Sequence, residues 1–456
     1  MRHTVVLRLI QNNHNGREKS AIAQRTREDM RRKKFDTIAV HGVYNAEQAL
    51  QSNQGSIIEP AYLSASQHYE NSDHLEAALA YLTPSWAYSR IANPTVGDLE
   101  ETIALMEGYG YPGEVTTCAT ASGMSAIFMA TNPFLCNPDN EKINIVVSAK
   151  CYGGTFMLFD QRYGKERGID IRWVSNPLDI EEWEEKIDAN TRFLYGEMPC
   201  NPSLDIIDIE ALVNLAHSFD LPLIVDATIA TPALLRPLQL GADIVVQSLS
   251  KTMGCSGFAI AGSVSARHNI PSRVGCDEMK SNFGQYIKLL PGRDHGPNLS
   301  PFNALMILND MRTLRSRVDH LSRNADTVAH FLDSHSAVES VYYPGLEQHP
   351  GHPLATRQMK LVDSDFNRYG HLLSFTVKPS SWAARKVLDG LKMIWRATDL
   401  GRIKSVATIP AISTHQQQGQ EGRDLAGLPS NLIRLGVGHE DVDDIIADLQ
   451  QSLAQV

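Results

Sequence analysis

From Lys142 onward the chain alternates short apolar runs with stretches of helical pattern, and few folds accommodate that order. The runs NIVVSA, IDIRWVS, RFLYGEM, LPLIVDA, DIVVQS and FAIAGSV are separated by segments such as DIEEWEEKI and DIEALVNLAHSF. Strands that are apolar throughout, with helices between them, predict an α/β domain: a mostly parallel sheet covered by crossover helices. In such a domain a ligand lies at the carboxyl ends of the strands. The polar residues at those ends are therefore the site candidates: Tyr152 after NIVVSAK, Glu197 and Asn201 after RFLYG, Asp226 and Thr228 after LPLIV, and Ser248, Ser250 and Lys251 after DIVVQ.

Lys251 emerges from a buried run, where desolvation favours the neutral amine, a nucleophile toward an aldehyde. The flanking hydroxyls of Ser248 and Ser250 suit an anionic group beside that amine. An aldehyde on lysine and a phosphate among hydroxyls and backbone N–H groups are the needs of pyridoxal phosphate (PLP). The alternative is a surface lysine after a strand. Asp226, 25 residues earlier, would be costly to bury uncompensated; a protonated pyridine nitrogen would compensate it, and capping of the next helix is the competing reading. Tyr152 has two readings, stacking on a ring or packing in the core.

Upstream, Ser122, Gly123 and Met124 open the helical segment SAIFMATNPF, whose N-terminal N–H groups can hold an anion, with Gly123 permitting close approach. A plain helix cap is the alternative. Tyr88 and Arg90 lie in YSRIANPT, a loop stiffened by Asn93-Pro94, with Thr95 expected to cap the helix VGDLEETIALMEG. Arg434, in the apolar run NLIRLGVG, offers a planar fork to a substrate carboxylate or a structural ion pair. Gly108 to Gly113 matches GxGxxG but follows a helix and precedes an extended segment, the reverse of the dinucleotide-binding arrangement, so it is read as a connection.

At 456 residues the chain exceeds the usual size of one core. The expected organisation is a basic arm over 1–34, an extended segment over 35–95, a large cofactor-binding domain over 96–297, and a connecting helical region with a smaller α+β domain over 298–456. The segments FDTIAVHGVY and IIEPAYLSASQHYE read as short extended pieces and polar turns. A formal charge of -10 argues against a general nucleic-acid binder, and no apolar stretch approaches the ~20 residues of a membrane span. The six cysteines form no CxxC pair, which speaks against a zinc site or disulfide framework and for a reducing, cytoplasmic compartment.

The ordered set YSRIANPT, SGM, CYGGT, CNPSL, VDATIATP, SLSK, SPFNA and IRLGVGHED resembles the Cys/Met metabolism PLP-dependent enzymes, the cystathionine γ-synthase-like group of fold type I. The resemblance runs from about Phe35 to the C-terminus. It implies that Lys251 carries the cofactor and shuttles protons, with Tyr152 against the ring and assisting proton transfer. It places Asp226 on the pyridine nitrogen, with Thr228 beside it, and Ser122, Gly123, Met124, Ser248 and Ser250 around the phosphate. Tyr88 and Arg90 would reach the phosphate of a neighbouring subunit in a dimer with shared sites, expected to form a tetramer, while Asn201, Ser405 and Arg434 would receive the amino acid. SPFNA and GRIKSVATIPAISTHQQ look most like O-acetylhomoserine sulfhydrylases, with Lys404 where many cystathionine-cleaving relatives carry glutamate. The chain departs from the pattern at Ala227, Thr252 and Gly254-Cys255-Ser256. The implied reaction is γ-replacement on an O-acylated homoserine. The alternatives are γ-elimination, a specialised γ-substitution with a carbon nucleophile, and a non-catalytic protein that kept the fold.

Overall fold

Alternate residues of the apolar runs serve two different cores. The computed structural model describes residues 24–456 apart from 81, 84, 137–141 and 378–380. Seven strands form the large sheet: β1 (Val115–Thr120), β2 (Asn144–Ser148), β3 (Asp170–Val174), β4 (Thr191–Glu197), β5 (Leu223–Asp226), β6 (Ile244–Gln247) and β7 (Gly262–Arg267), in the order β1-β7-β6-β5-β4-β2-β3. The pairs from β3 to β6 are parallel, and β7 runs antiparallel between β6 and β1. In β5 and β6, Val225 and Val245 face one core while Ile224, Ile244 and Val246 face the other. That two-sided burial is why these strands are apolar without alternation. Each such side chain contributes roughly 1.5–3 kcal/mol by leaving water.

Helix α1 (Pro94–Glu107) covers the first face, and α2 (Gly123–Thr131) the second. The cap of α1 is Asn93, not the expected Thr95. The Asn93 side chain accepts from Thr95 N at 3.0 Å, Pro94 takes the first helical position and Thr95 is buried. Proline there forgoes an N–H that would otherwise be orphaned, which moves the start two residues earlier than the sequence reading. The stretch read as extended near Phe35 is also helical, over Phe35–His41 and Ala46–Ser52. Phe35, Ile38 and Ala39 recur at i, i+3, i+4 and are buried in the core of the first face, and this periodicity prevails over the β-branched composition. Of the expected basic arm, residues 1–23 lie outside the described residues; Arg27 donates to Val115 O and Arg31 pairs with Glu114.

Helices α3 (Pro301–Met311) and α4 (Leu314–Ser334) lead to a second sheet, of order β10-β11-β12-β9-β8: β8 (Val338–Tyr342), β9 (Leu372–Val377), β10 (Trp395–Arg396), β11 (Val406–Thr408) and β12 (Leu432–Gly436). The last helix, α5 (Val442–Leu453), buries Ile445, Leu449 and Leu453 at i, i+4, i+8 against it. Asp448 of α5 accepts from the backbone N of Lys392, Met393 and Ile394 at 2.8–2.9 Å, fixing the turn that leads into β10.

Candidate active site

The parallel register brings two acids together. Glu197 ends β4 and Asp226 ends β5, and they are direct cross-strand partners. Both are buried. Burial is the chief reason both carboxyls are held above the ordinary range, and for Glu197 the Asp226 charge adds to it. Glu197 accepts from the backbone N of Tyr152 and of Asn201, each at 2.7 Å, and so fixes the loops after β2 and β4. Asp226 accepts from Thr228 N at 3.0 Å, Thr228 Oγ1 at 2.6 Å and Tyr195 O–H at 3.4 Å. No cation lies within 4.0 Å of it among the described residues.

These strand ends line a cavity of about 750 Å³ together with Ser122, Gly123, Met124, Ser248, Ser250 and Lys251. Helix α2 starts there, with the Ser122 side chain accepting from Ser125 N at 3.1 Å. A Cβ on Gly123 would come within 2.7 Å of Ser248 Cβ, so the close approach of these two loops requires glycine. Ser248 N donates to Thr228 Oγ1 at 2.8 Å, which links the loop after β6 to the hydroxyl that holds Asp226. Ser250 Oγ both donates to Ala261 O and accepts from Ala261 N, at 3.0 Å each, and shapes that loop. Tyr152, half exposed, lies over Gly154 beside Met124.

From the smaller domain comes Arg434, on β12 and 1 % exposed. It donates to Asn201 Oδ1 at 3.0 Å and to the carbonyls of Thr398 and Asp399 at 2.9 Å each. No carboxylate oxygen lies within 4.0 Å of its guanidinium among the described residues. Burial pulls its pKa down to about 10 even though Tyr152, Asp399 and Glu197 oppose that shift. The neutral partners leave its charge unmatched, as a site for a substrate carboxylate would.

Of the residues singled out from sequence, four are not at the cavity. Ser405 is fully buried, donates from Oγ to Glu440 at 2.9 Å and accepts from Gly438 N at 2.8 Å, so its hydroxyl serves the turn after β12 instead of a ligand. Tyr88 and Arg90 are exposed, with Arg90 donating to Arg293 O and stacking over Tyr88. Lys404 also lies off the cavity, over the Trp395 ring. Among the cavity residues that the sequence reading does not single out are Asp399, Arg402 and Gln417. Asp399 accepts from Lys251 Nζ at 2.7 Å and from Arg402 Nε at 2.5 Å; its carboxyl is raised by burial but net held below the ordinary range by Lys251 and Arg402. Arg402 in turn donates to Gly254 O at 2.9 Å, and Gln417 completes the wall. Asp399 and Arg402 sit in loops and Gln417 in a single 3-10 turn, Gln416–Gln418, where no periodicity marks them.

The loop that departs from the family pattern is tied down on all sides. Ser256 donates to Asp310 through N and Oγ, and Arg317 donates to Thr252 O at 2.9 Å. An acid without a cation, an arginine without a carboxylate and a helix N-terminus among hydroxyls fit the ring nitrogen, amino acid and phosphate of a PLP site.

A family model described as Cys/Met metabolism PLP-dependent enzyme matches residues 36–454. An O-succinylhomoserine sulfhydrylase of Pseudomonas aeruginosa is 35% identical, covering 95% of this chain and 98% of its own. An L-methionine gamma-lyase of Fusobacterium nucleatum subsp. polymorphum is 36% identical, covering 89% and 96%. Among solved structures, an O-acetylhomoserine (thiol)-lyase of Campylobacter jejuni, which carries N'-pyridoxyl-lysine-5'-monophosphate, is 32% identical with a TM-score of 0.81, covering 92% of this chain and 100% of that one.

Proposed function

We propose that this chain, which belongs to the Cys/Met metabolism PLP-dependent enzymes and has their fold type I architecture, replaces the γ-substituent of an O-acylated homoserine, with sulfide, a thiol or another nucleophile entering. The observation that carries the reading is the meeting of Lys251, cation-free Asp226 and carboxylate-free Arg434 in one cavity. The non-catalytic alternative fails, because the enzyme family spans nearly the whole chain and its lysine, acid and arginine are all present.

In this reading Arg434, oriented by Asn201, binds the substrate carboxylate, Asp226 faces the ring nitrogen, and Ser248 and the start of α2 hold the phosphate. When bound, PLP supplies the electron sink that makes hydrogens near the amino group acidic. Lys251 Nζ moves those protons, with Tyr152 beside the same space. A cavity of about 750 Å³ lies in the upper half of the ~300–1,000 Å³ typical of small-molecule sites. That volume suits an amino acid and a second reactant beside the cofactor.

The expected assembly is a homodimer, or a tetramer built from it. Leu50, Ile57 and Leu63 of the N-terminal segment are 76%, 94% and 68% exposed, and Phe258 and Ile260, near the cavity mouth, are 78% and 62% exposed. A second copy would cover both patches and bring Tyr88 and Arg90 to the neighbouring phosphate. No helix among the described residues is long and apolar enough to cross a membrane. The six free cysteines support a cytoplasmic setting.

The test is product analysis with O-acetyl- and O-succinylhomoserine, with and without sulfide or methanethiol. Formation of a new sulfur amino acid at the expense of ammonia and 2-oxo acid is the expected result. Ammonia and 2-oxo acid unaffected by added thiol would instead establish γ-elimination, the activity in the name of the Fusobacterium relative.

A further inference from the structure

Asp399 stands in the loop between β10 and β11 and touches both groups that an α-amino acid must reach. Its Oδ1 accepts from Lys251 Nζ at 2.7 Å, while its main-chain oxygen accepts from Arg434 Nη2 at 2.9 Å. One residue thus spans from the carboxylate-free arginine to the reactive amine. The side chain is also fixed: Arg402 Nε donates to Oδ2 at 2.5 Å, Leu400 N to Oδ1 at 3.0 Å, and Arg402 Nη1 ties the arrangement to Gly254 O. A carboxylate held this way cannot swing to solvent when Lys251 leaves it.

Lys251 does leave it in the proposed reaction, because the amine that carries the cofactor no longer presents an ammonium to Oδ1. Arg402 stays on Oδ2, but Oδ1 of the half-buried carboxylate then lacks its ammonium partner, and a substrate whose carboxylate lies on Arg434 brings its own ammonium to the same neighbourhood. We infer that Asp399 is the α-ammonium acceptor of the amino-acid site, so that Asp399 and Arg434 read the two charged ends of the substrate and the Lys251 ion pair stands in for the substrate contact in the ligand-free chain. This inference rests on the PLP-dependent reading of the site but not on which reaction follows. It makes the chain selective for zwitterionic α-amino acids over carboxylic acids of the same skeleton.

Two measurements test it, and neither depends on turnover. The first is calorimetric binding to the holoenzyme of N,N-dimethylnorvaline and of pentanoate. Both offer a carboxylate to Arg434, only the first offers an ammonium, and a tertiary amine cannot take the place of Lys251 on the cofactor. The wild type is expected to prefer the zwitterion at least tenfold. Asp399→Asn and Asp399→Ser should bring the ratio near one while changing pentanoate affinity less than twofold. A preference that survives both substitutions, or is absent from the wild type, overturns the inference. The second is acylation of Lys251 in cofactor-free protein, followed by mass spectrometry. An ammonium held by a carboxylate is not a nucleophile, so labelling should accelerate severalfold in either variant, and an unchanged rate overturns the proposed ion pair. Failure of the γ-replacement reading would appear in the reaction products and leave both measurements untouched.

Discussion

One proton decides how Glu107 sits beside Gln247. Gln247 Nε2 donates to Glu107 Oε1 at 2.8 Å, while Glu107 Oε2 and Gln247 Oε1, both buried, have no partner. A protonated Glu107 joins those two orphans with a single O–H···O bond, giving a closed acid–amide pair. The energetics agree: burial lifts this carboxyl from an ordinary 4.5 to about 8, against the opposing effects of Gln247 and Arg236. Because the folded state keeps a proton that the unfolded chain loses above 4.5, the buried acid has no stability cost below that pH. The cost grows as pH rises and is complete above about 8. Glu107→Gln keeps an amide pair without the titration. Its stability advantage over the wild type should therefore widen by roughly 3 kcal/mol between pH 5 and pH 8, read from denaturant unfolding. A gap that stays flat would mean that Glu107 is ionised in the fold.

At the scale of elements, the site depends on how closely two loops approach. Gly401, with φ +73°, follows the segment that holds Asp399, and a Cβ there would lie 2.6 Å from Thr252 N and 3.0 Å from Lys251 C. Backbone conformation and contact both demand glycine, since neither the left-handed region nor a main-chain neighbour leaves room. Gly401→Ala should destabilise the protein by roughly 1–3 kcal/mol and release PLP faster on dilution. A variant with unchanged melting temperature and unchanged cofactor retention would show that the loops are free to separate. The residues after Lys251 are also anchored to the connecting helical region: Arg317 donates to the main-chain oxygen of Thr252, and the Ser256 hydroxyl donates to Asp310.

At the scale of the whole molecule, a single chain leaves Tyr88 and Arg90 off the cavity and large apolar side chains in solvent near its mouth. Shared sites would account for both. Arg90→Ala and Lys251→Ala should each be nearly inactive, and mixing them should restore activity after subunit exchange, because a hybrid dimer holds one site with both residues intact. Exchange itself is to be followed with differently tagged chains. If hybrids form and activity stays at the level of the separate variants, Arg90 acts within its own subunit or not at all.

Much of the site was legible in the sequence because a parallel sheet leaves little choice. Once NIVVSA, RFLYGEM, LPLIVDA and DIVVQS are strands in one sheet, their carboxyl ends must gather, and with them Tyr152, Glu197, Asp226 and Lys251. Local pattern also marked α2 and its serine cap. What the sequence left open lies where contact is made between distant elements. Asp399 meets Lys251 across 148 residues from a loop with no periodic signal. The resemblance assigns Ser405 to the substrate, whereas its hydroxyl donates to Glu440, and the helix at Phe35 is stabilised by a core that local composition does not reveal. Secondary structure and strand ends follow from short-range periodicity and chain direction. Side-chain partners across domains follow from the packing of the whole chain, and only the tertiary structure decides them.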